Sequence, residues 1–182
     1  MGWRALNISG VYTYEPKIWG DDRGYFFESY NASSVPDELK NVHFVQDNEA
    51  LSIKGVIRGL HFQKGEAAQS KLVRCVEGEI LDVIVDVRPQ SPTFGQHISV
   101  ILNSIQKKQL FVPRGFAHGY MVLSDTAIFA YKCDNYYQPS AEGGIYYADP
   151  ALNIDWILPK ESHIISPKDA VLPALSEIVS GL

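Results

Sequence analysis

The run GVIRGLHFQ, residues 55–63, places Val56, Ile57, Leu60 and Phe62 where a core would want them, yet it also carries Arg58 and His61. A permanent cation and an imidazole that titrates near neutrality are costly to bury without partners. Together they suit two tasks, holding an anion and moving a proton. Further polar residues interrupt apolar stretches elsewhere: Arg23, Glu28, Gln46, Asn48, Lys71, His118, Tyr131 and Lys168. Taken one at a time, each has a plainer reading. A lone histidine is more often a satisfied core residue than a functional one. Tyr131 reads as a core tyrosine with a satisfied hydroxyl, and Arg23 beside Asp21 and Asp22 reads as a solvated turn. Asp82 and Asp86 read as an outward strand face rather than a catalytic dyad.

Metal chemistry is the first alternative to weigh. His61 and His118 could be ligands in a β-barrel, but such sites want another His or Glu two positions from the first ligand, where this chain has Gln63. A His, Gln, His set is poor for zinc or ferrous iron, which take three or more good N, S or O donors. The expectation is no metal.

Residues this scattered can converge only if strands bring them to one pocket. Strand signals recur at short spacing. KLVRCVEGEILDVIVDVRP holds two runs around a turn at Glu77-Gly78, and in the second run Leu81, Val83, Val85 and Val87 alternate with Ile80, Asp82, Ile84, Asp86 and Arg88. HISVILN and KQLFVP follow, separated by a polar turn at residues 104–107, and then YMVLS and AIFAYKC flank a turn at Ser124-Asp125. Pro89, Pro92, Gly95, Pro113 and Gly115 mark joins. SSVPDELKN, residues 33–41, is at best a short helix capped by Ser33 or Ser34. Many short strands and little helix predict an all-β antiparallel sandwich or jelly-roll barrel, in which alternate residues of each strand face one mouth. After Pro150 the chain reads as an irregular tail wrapping the body, so residues 1–182 form one domain. Arg58 and His61, three apart, would face opposite sides of an unbroken strand. Gly59 is therefore expected to mark a bulge or bend that re-aims the chain.

The strings GDDRGYFFESYN, FVQDN, KGVIRGLHFQ, QSKLVRCVEGEILDVIVDVRPQSPTFG, FVPRGFAHGYMVLSD, YKCDNYYQPSAEGGIYYADPALNIDW and SPKD, in that order from about residue 5 to residue 173, resemble the dTDP-4-dehydrorhamnose 3,5-epimerase family. Each string alone is weak; seven in order are specific. The resemblance implies a cupin-type jelly roll, a homodimer, no metal or organic cofactor, and inversion at C3 and C5 of a dTDP-linked 4-keto-6-deoxyhexose in dTDP-rhamnose biosynthesis. A ketone at C4 acidifies the C3 and C5 protons, so epimerisation needs a base on one ring face, an acid on the other and a cation at the enolate oxygen. By resemblance His61 is the base and Asp169 its carboxylate partner, an arrangement that fixes the imidazole tautomer. Lys71 would hold the enolate oxygen and Tyr131 would protonate from the far side. Arg23, Arg58, His118 and Lys168 match positions near the pyrophosphate. Phe26, Glu28, Gln46, Asp47 and Asn48 match positions around the thymidine, Tyr137 a ring that stacks on thymine, and Glu142 a further polar contact. The segment RGYFFES is the one that, in the family, reaches a neighbouring copy's site. A monofunctional 3- or 5-epimerase would keep the same His, Asp, Lys and Tyr, so that reading stays open. A sugar-nucleotide ketoisomerase shares the fold, though RGLHFQ with FAHGY favours the epimerase. A non-catalytic sugar-nucleotide-binding cupin would lose the base or the acid, and here both are present.

Composition is compatible with all of this. A chain of 182 residues is long enough to bury roughly 70% of its unfolded surface without disulfides or metal. Net charge is −5, which disfavours a nucleic-acid or anionic-membrane surface without excluding a small anionic ligand held by clustered arginines. No run approaches a membrane span. MGWRALNISG lacks the apolar core of a signal peptide and the Ser or Thr of a myristoylation motif. Cys75 and Cys133 fall in strand-like runs and read as packing residues rather than a disulfide framework. A soluble, cytoplasmic protein is expected.

Overall fold

Short strands dominate the computed structural model, which describes residues 1–178. In chain order they are β1 (Gly2–Ala5), β2 (Tyr12–Glu15), β3 (Ile18–Asp21), β4 (Gly24–Phe27), β5 (Gln46–Ile53), β6 (Val56–Gln63), β7 (Lys71–Glu77), β8 (Glu79–Asp86), β9 (His97–Asn103), β10 (Gln109–Val112), β11 (Phe116–Val122), β12 (Thr126–Cys133), β13 (Glu142–Gly144) and β14 (Ile164–Ile165). A single turn of α-helix, α1 (Leu175–Ile178), follows in the tail. One sheet runs β1-β2-β10-β7-β12-β5 and the other β13-β6-β11-β8-β9, with β14 lying parallel to β6. The hairpin β3–β4 stands apart as a two-stranded sheet. This is a cupin-type jelly roll. Turns fall where the sequence expects them, at Gly78 between β7 and β8 and at Ser124-Asp125 between β11 and β12.

Three apolar layers hold the strands together. Between the sheets, Val73, Cys75, Ala127 and Phe129 meet Ile80, Ile84, Tyr120 and Val122. Behind the second sheet, Leu81, Val83, Val85 and Met121 pack under tail residues Ile145, Leu152, Trp156 and Leu175. On the outer face of the first sheet, Leu72 and Phe111 are covered by Val35 and Leu39. Burial of such side chains stabilises the fold by roughly 1.5–3 kcal/mol each. Both cysteines are buried and unpaired.

Two local expectations need correction. Strand β8 has no solvent face, because the tail covers one side and the partner sheet the other; Asp82 and Asp86 are fully buried and point inward. Residues 33–41 contain only a 3-10 turn, Asp37–Leu39, with Pro36 at its start. Ser33 and Ser34 bond Asn31 instead of capping it.

Gly59 resolves the facing problem of Arg58 and His61. Opposite β11, His61 pairs with His118 and Arg58 with Tyr120, so two residues of β6 stand against the single Gly119. Gly59 has φ +120, and a Cβ there would lie 2.7 Å from Gly119 Cα and from the His118 carbonyl oxygen. Only glycine fits this bulge.

Candidate active site

The bulge turns Arg58 and His61 toward one cavity of about 560 Å3, which is also lined by Lys71, His118, Tyr120, Tyr131, Lys168 and Asp169. A second hollow of about 390 Å3 is lined by Gln46, Asn48, Gln63, Cys133, Tyr137 and Glu142. His61, Lys71 and Tyr131 line both, so the two hollows are halves of one crevice with these three side chains at the waist. Strand alternation explains the cast. From β6 of one sheet comes His61; from β7 and β12 of the other come Lys71, Tyr131 and Cys133; from β5 come Gln46, Asn48 and Ala50.

At the waist, His61 Nε2 lies 2.7 Å from Asp169 Oδ1, and Gly59 N–H donates to Asp169 Oδ2 at 3.2 Å. A carboxylate only accepts, so the imidazole proton sits on Nε2 and Nδ1 is the basic nitrogen. Asp169 is buried, and its backbone N–H donates to Ser166 Oγ. Facing His61 from the other sheet, Lys71 Nζ lies 5.7 Å from the Tyr131 ring centroid. Burial pushes the Lys71 ammonium below its ordinary value, against the opposing effect of Cys133, Asp82 and Glu142. Burial, with Cys133 and Tyr120 nearby, pushes the Tyr131 phenol up to about 12, so it stays protonated throughout the neutral range.

His118 faces the same cavity with Nε2 3.0 Å from Asp82 Oδ2. Sequence reasoning missed Asp82 as a partner, along with Ser52 and Tyr120. Arg58 Nε donates to Ser52 Oγ at 3.0 Å, and Ser52 Oγ lies 3.4 Å from the Tyr120 hydroxyl. Period-two patterning told which β8 residues share a face with Asp82, but not that the face was inward. At the mouth, Glu142 accepts from Lys168 Nζ and from the Tyr137 hydroxyl, both at 2.7 Å. Gln46 Nε2 donates to Asn48 Oδ1, whose amide nitrogen lies 3.8 Å from Cys133 Sγ.

Four expected site residues are not brought to this crevice. Asp47 alternates to the outside of β5, where its carboxylate accepts from Lys132 Nζ. Glu28 is exposed and bonded to Asn31. Arg23 and Phe26 lie on the β3–β4 hairpin, with Arg23 paired to Asp21 and Phe26 68% exposed. Among the described residues no group of three or more His, Cys, Asp or Glu could hold a metal ion, and no helix is long and apolar enough to cross a membrane. Gln63 is buried and accepts from the Gln138 N–H.

Fold and site together define a cupin-type jelly-roll isomerase. The dTDP-4-dehydrorhamnose 3,5-epimerase family profile matches residues 5–177. The chain is 51% identical to the dTDP-4-dehydrorhamnose 3,5-epimerase of Salmonella typhimurium, over 93% of each chain. It is also 51% identical to that of Escherichia coli, over 94% of this chain and 93% of the relative. Among solved structures, a Legionella pneumophila 3,5-epimerase in complex with dTDP-4-keto-L-rhamnose superposes with a TM-score of 0.92 at 48% identity, covering 97% of this chain and 94% of that one. The chain belongs to the dTDP-4-dehydrorhamnose 3,5-epimerase family.

Proposed function

We propose that this chain inverts C3 and C5 of dTDP-4-keto-6-deoxyglucose, with His61 as base and Tyr131 as acid on opposite faces of the hexose ring. The observation that carries this reading is the crevice waist, where an Asp-held imidazole from one sheet faces a protonated phenol and a half-buried ammonium from the other. His61 removes the proton alpha to the C4 ketone, and the charge that develops on the ketone oxygen is met by Lys71. A lowered pKa helps Lys71 share a proton with that oxygen. Tyr131 then protonates the carbon from the far face. Solvent then takes the proton from His61 and returns one to Tyr131, and a second cycle at the other carbon gives the doubly inverted product. Acid, base and ammonium are all side chains of this chain, and activity is expected to survive exhaustive chelation. Loss that zinc or iron restored would contradict the reading.

Arg58, His118 and Lys168 would meet the diphosphate, and Gln46, Asn48, Tyr137 and Glu142 the nucleoside. Arg23 and Phe26 would complete the site of a second copy. That reading is supported by a hairpin whose Trp19, Tyr25 and Phe26 are all exposed and which lines neither hollow of its own crevice. A homodimer of this kind can be tested by mixing two crippled variants, His61→Asn and Arg23→Ala. If the hairpin serves the partner, each mixed dimer carries one intact site, and about a quarter of wild-type activity should return. No recovery on mixing would place the hairpin's function within its own chain. Turnover is tested by proton NMR of the product, which should show inversion at both carbons; inversion at one alone would identify a monofunctional epimerase.

A further inference from the structure

Arg58 is exposed on a strand that bulges beside it, and a guanidinium so placed has no reason from backbone geometry to hold one orientation. It is tethered nonetheless. Its Nε donates to Ser52 Oγ at 3.0 Å, and Ser52 Oγ lies 3.4 Å from the Tyr120 hydroxyl. Ser52 is 5% exposed and Tyr120 4%. The three residues come from β5, β6 and β11, so the tether spans both sheets. Tyr120 is itself fixed by stacking on Phe129, with ring centroids 4.3 Å apart, and Phe129 packs in turn against Tyr131. Arg58 and Tyr120 line the crevice, whereas Ser52 sits behind that lining.

Nothing in the chemistry of proton transfer requires a serine here. Its hydroxyl can accept from Arg58 Nε and still exchange a hydrogen bond with Tyr120, which holds the guanidinium plane by its inner nitrogen. The Tyr120 hydroxyl also bonds the Arg58 guanidinium directly, and the side so tethered leaves the rest of the fork to face the crevice, the geometry that grips phosphate oxygens. The structure assigns to Ser52, backed by Tyr120, the role of a positioning residue that pre-orients Arg58 for a diphosphate. This rests on the reading of Arg58 as a diphosphate contact, and extends it to a residue that does not touch the ligand.

A pre-oriented arginine loses less rotamer freedom when the anion arrives. Ser52→Ala should therefore weaken dTDP binding roughly three- to tenfold, the cost of freezing one long side chain. In turnover the loss should fall on KM rather than kcat. Ser52→Thr, which keeps the hydroxyl, should bind dTDP as the wild type does. Tyr120→Phe keeps the stack on Phe129 and serves as a second probe should Ser52→Ala fold poorly; it should weaken dTDP binding in the same direction.

Titration calorimetry with dTDP on the wild type, Ser52→Ala, Arg58→Ala and the double variant separates the possibilities. The expected result is weaker binding by each single variant and no further loss in the double, because Ser52 acts only through Arg58. Weak binding by Arg58→Ala with wild-type binding by Ser52→Ala would overturn the positioning role and leave the diphosphate reading intact. So would full additivity in the double variant. Wild-type binding by Arg58→Ala would overturn the diphosphate reading and the positioning role with it.

Discussion

Asp169 and His61 are joined at 2.7 Å, and the same carboxylate holds the N–H of Gly59 two residues before the histidine. One side chain from the tail therefore fixes both the imidazole and the bulge that aims it. Asp169→Asn keeps the shape but replaces a pure acceptor with an amide, so the proton on His61 is no longer held at Nε2. A loss of about a hundred- to ten-thousandfold in kcat is expected, with the fold retained. A kcat within a few-fold of wild type would show that the carboxylate does not set the tautomer.

Gly59→Ala attacks the same arrangement from the backbone. A methyl group there meets Gly119 and the His118 carbonyl at 2.7 Å, in a conformation unfavourable for any L side chain. Destabilisation of about 3 kcal/mol or more is expected in urea unfolding, with kcat/KM falling as Arg58 and His61 cease to share a cavity. Wild-type stability and turnover would mean that β6 can reach the site without its bulge.

The strands, their turns and the bulge were legible because period-two alternation and glycine placement are local signals. Gly59 could be singled out from spacing alone, since Arg58 and His61 cannot share a face of a regular strand. The setting of Asp82 and Asp86 was not legible. Alternation says which residues point together, but only the tail packed on Leu81, Val83 and Val85 and the partner sheet packed on Ile80 and Ile84 make both faces of β8 interior. Likewise Ser52 carries no sequence signal. Its importance arises from Tyr120 and Arg58, which are distant in sequence or turned by the bulge. Asp47 was named only through the family resemblance, although alternation places its side chain outside, on Lys132. Tyr131 was legible only through the family resemblance, because a tyrosine in an apolar strand is ordinarily core.

Asp86 offers a test of the buried frame. Burial pushes its carboxyl up, but Arg88, Ser91 and Thr93 outweigh that and hold it down to about 2. Against an ordinary value of 3.8, this corresponds to about 2 kcal/mol of stability. The folded value is the lower one, so the contribution is present above about pH 4 and lost as pH falls toward 2. Asp86→Asn should be less stable than wild type at pH 7, and the gap should narrow across that window. A gap that stays constant between pH 5 and pH 2 would contradict the depressed value.

Tyr131 makes a prediction on the alkaline side. A phenol raised to about 12 keeps its proton well past pH 10, so its ionisation should not set an alkaline limb in the rate profile below that point. A limb near pH 9 that vanished in Tyr131→Phe would show that the phenol ionises far more easily than its buried setting implies.

If base and acid act from opposite ring faces, deuterium exchange at C3 and C5 must respond differently to loss of each. Wild type, His61→Asn and Tyr131→Phe would each be incubated with dTDP-4-keto-6-deoxyglucose in deuterated water and followed by NMR at C3 and C5. Wild type should incorporate deuterium with inversion at both carbons. His61→Asn should abolish exchange at both, since no proton is removed. Tyr131→Phe should retain exchange from the base side while inversion falls by about a hundredfold or more. Near-normal exchange in His61→Asn, or undiminished inversion in Tyr131→Phe, would contradict the account.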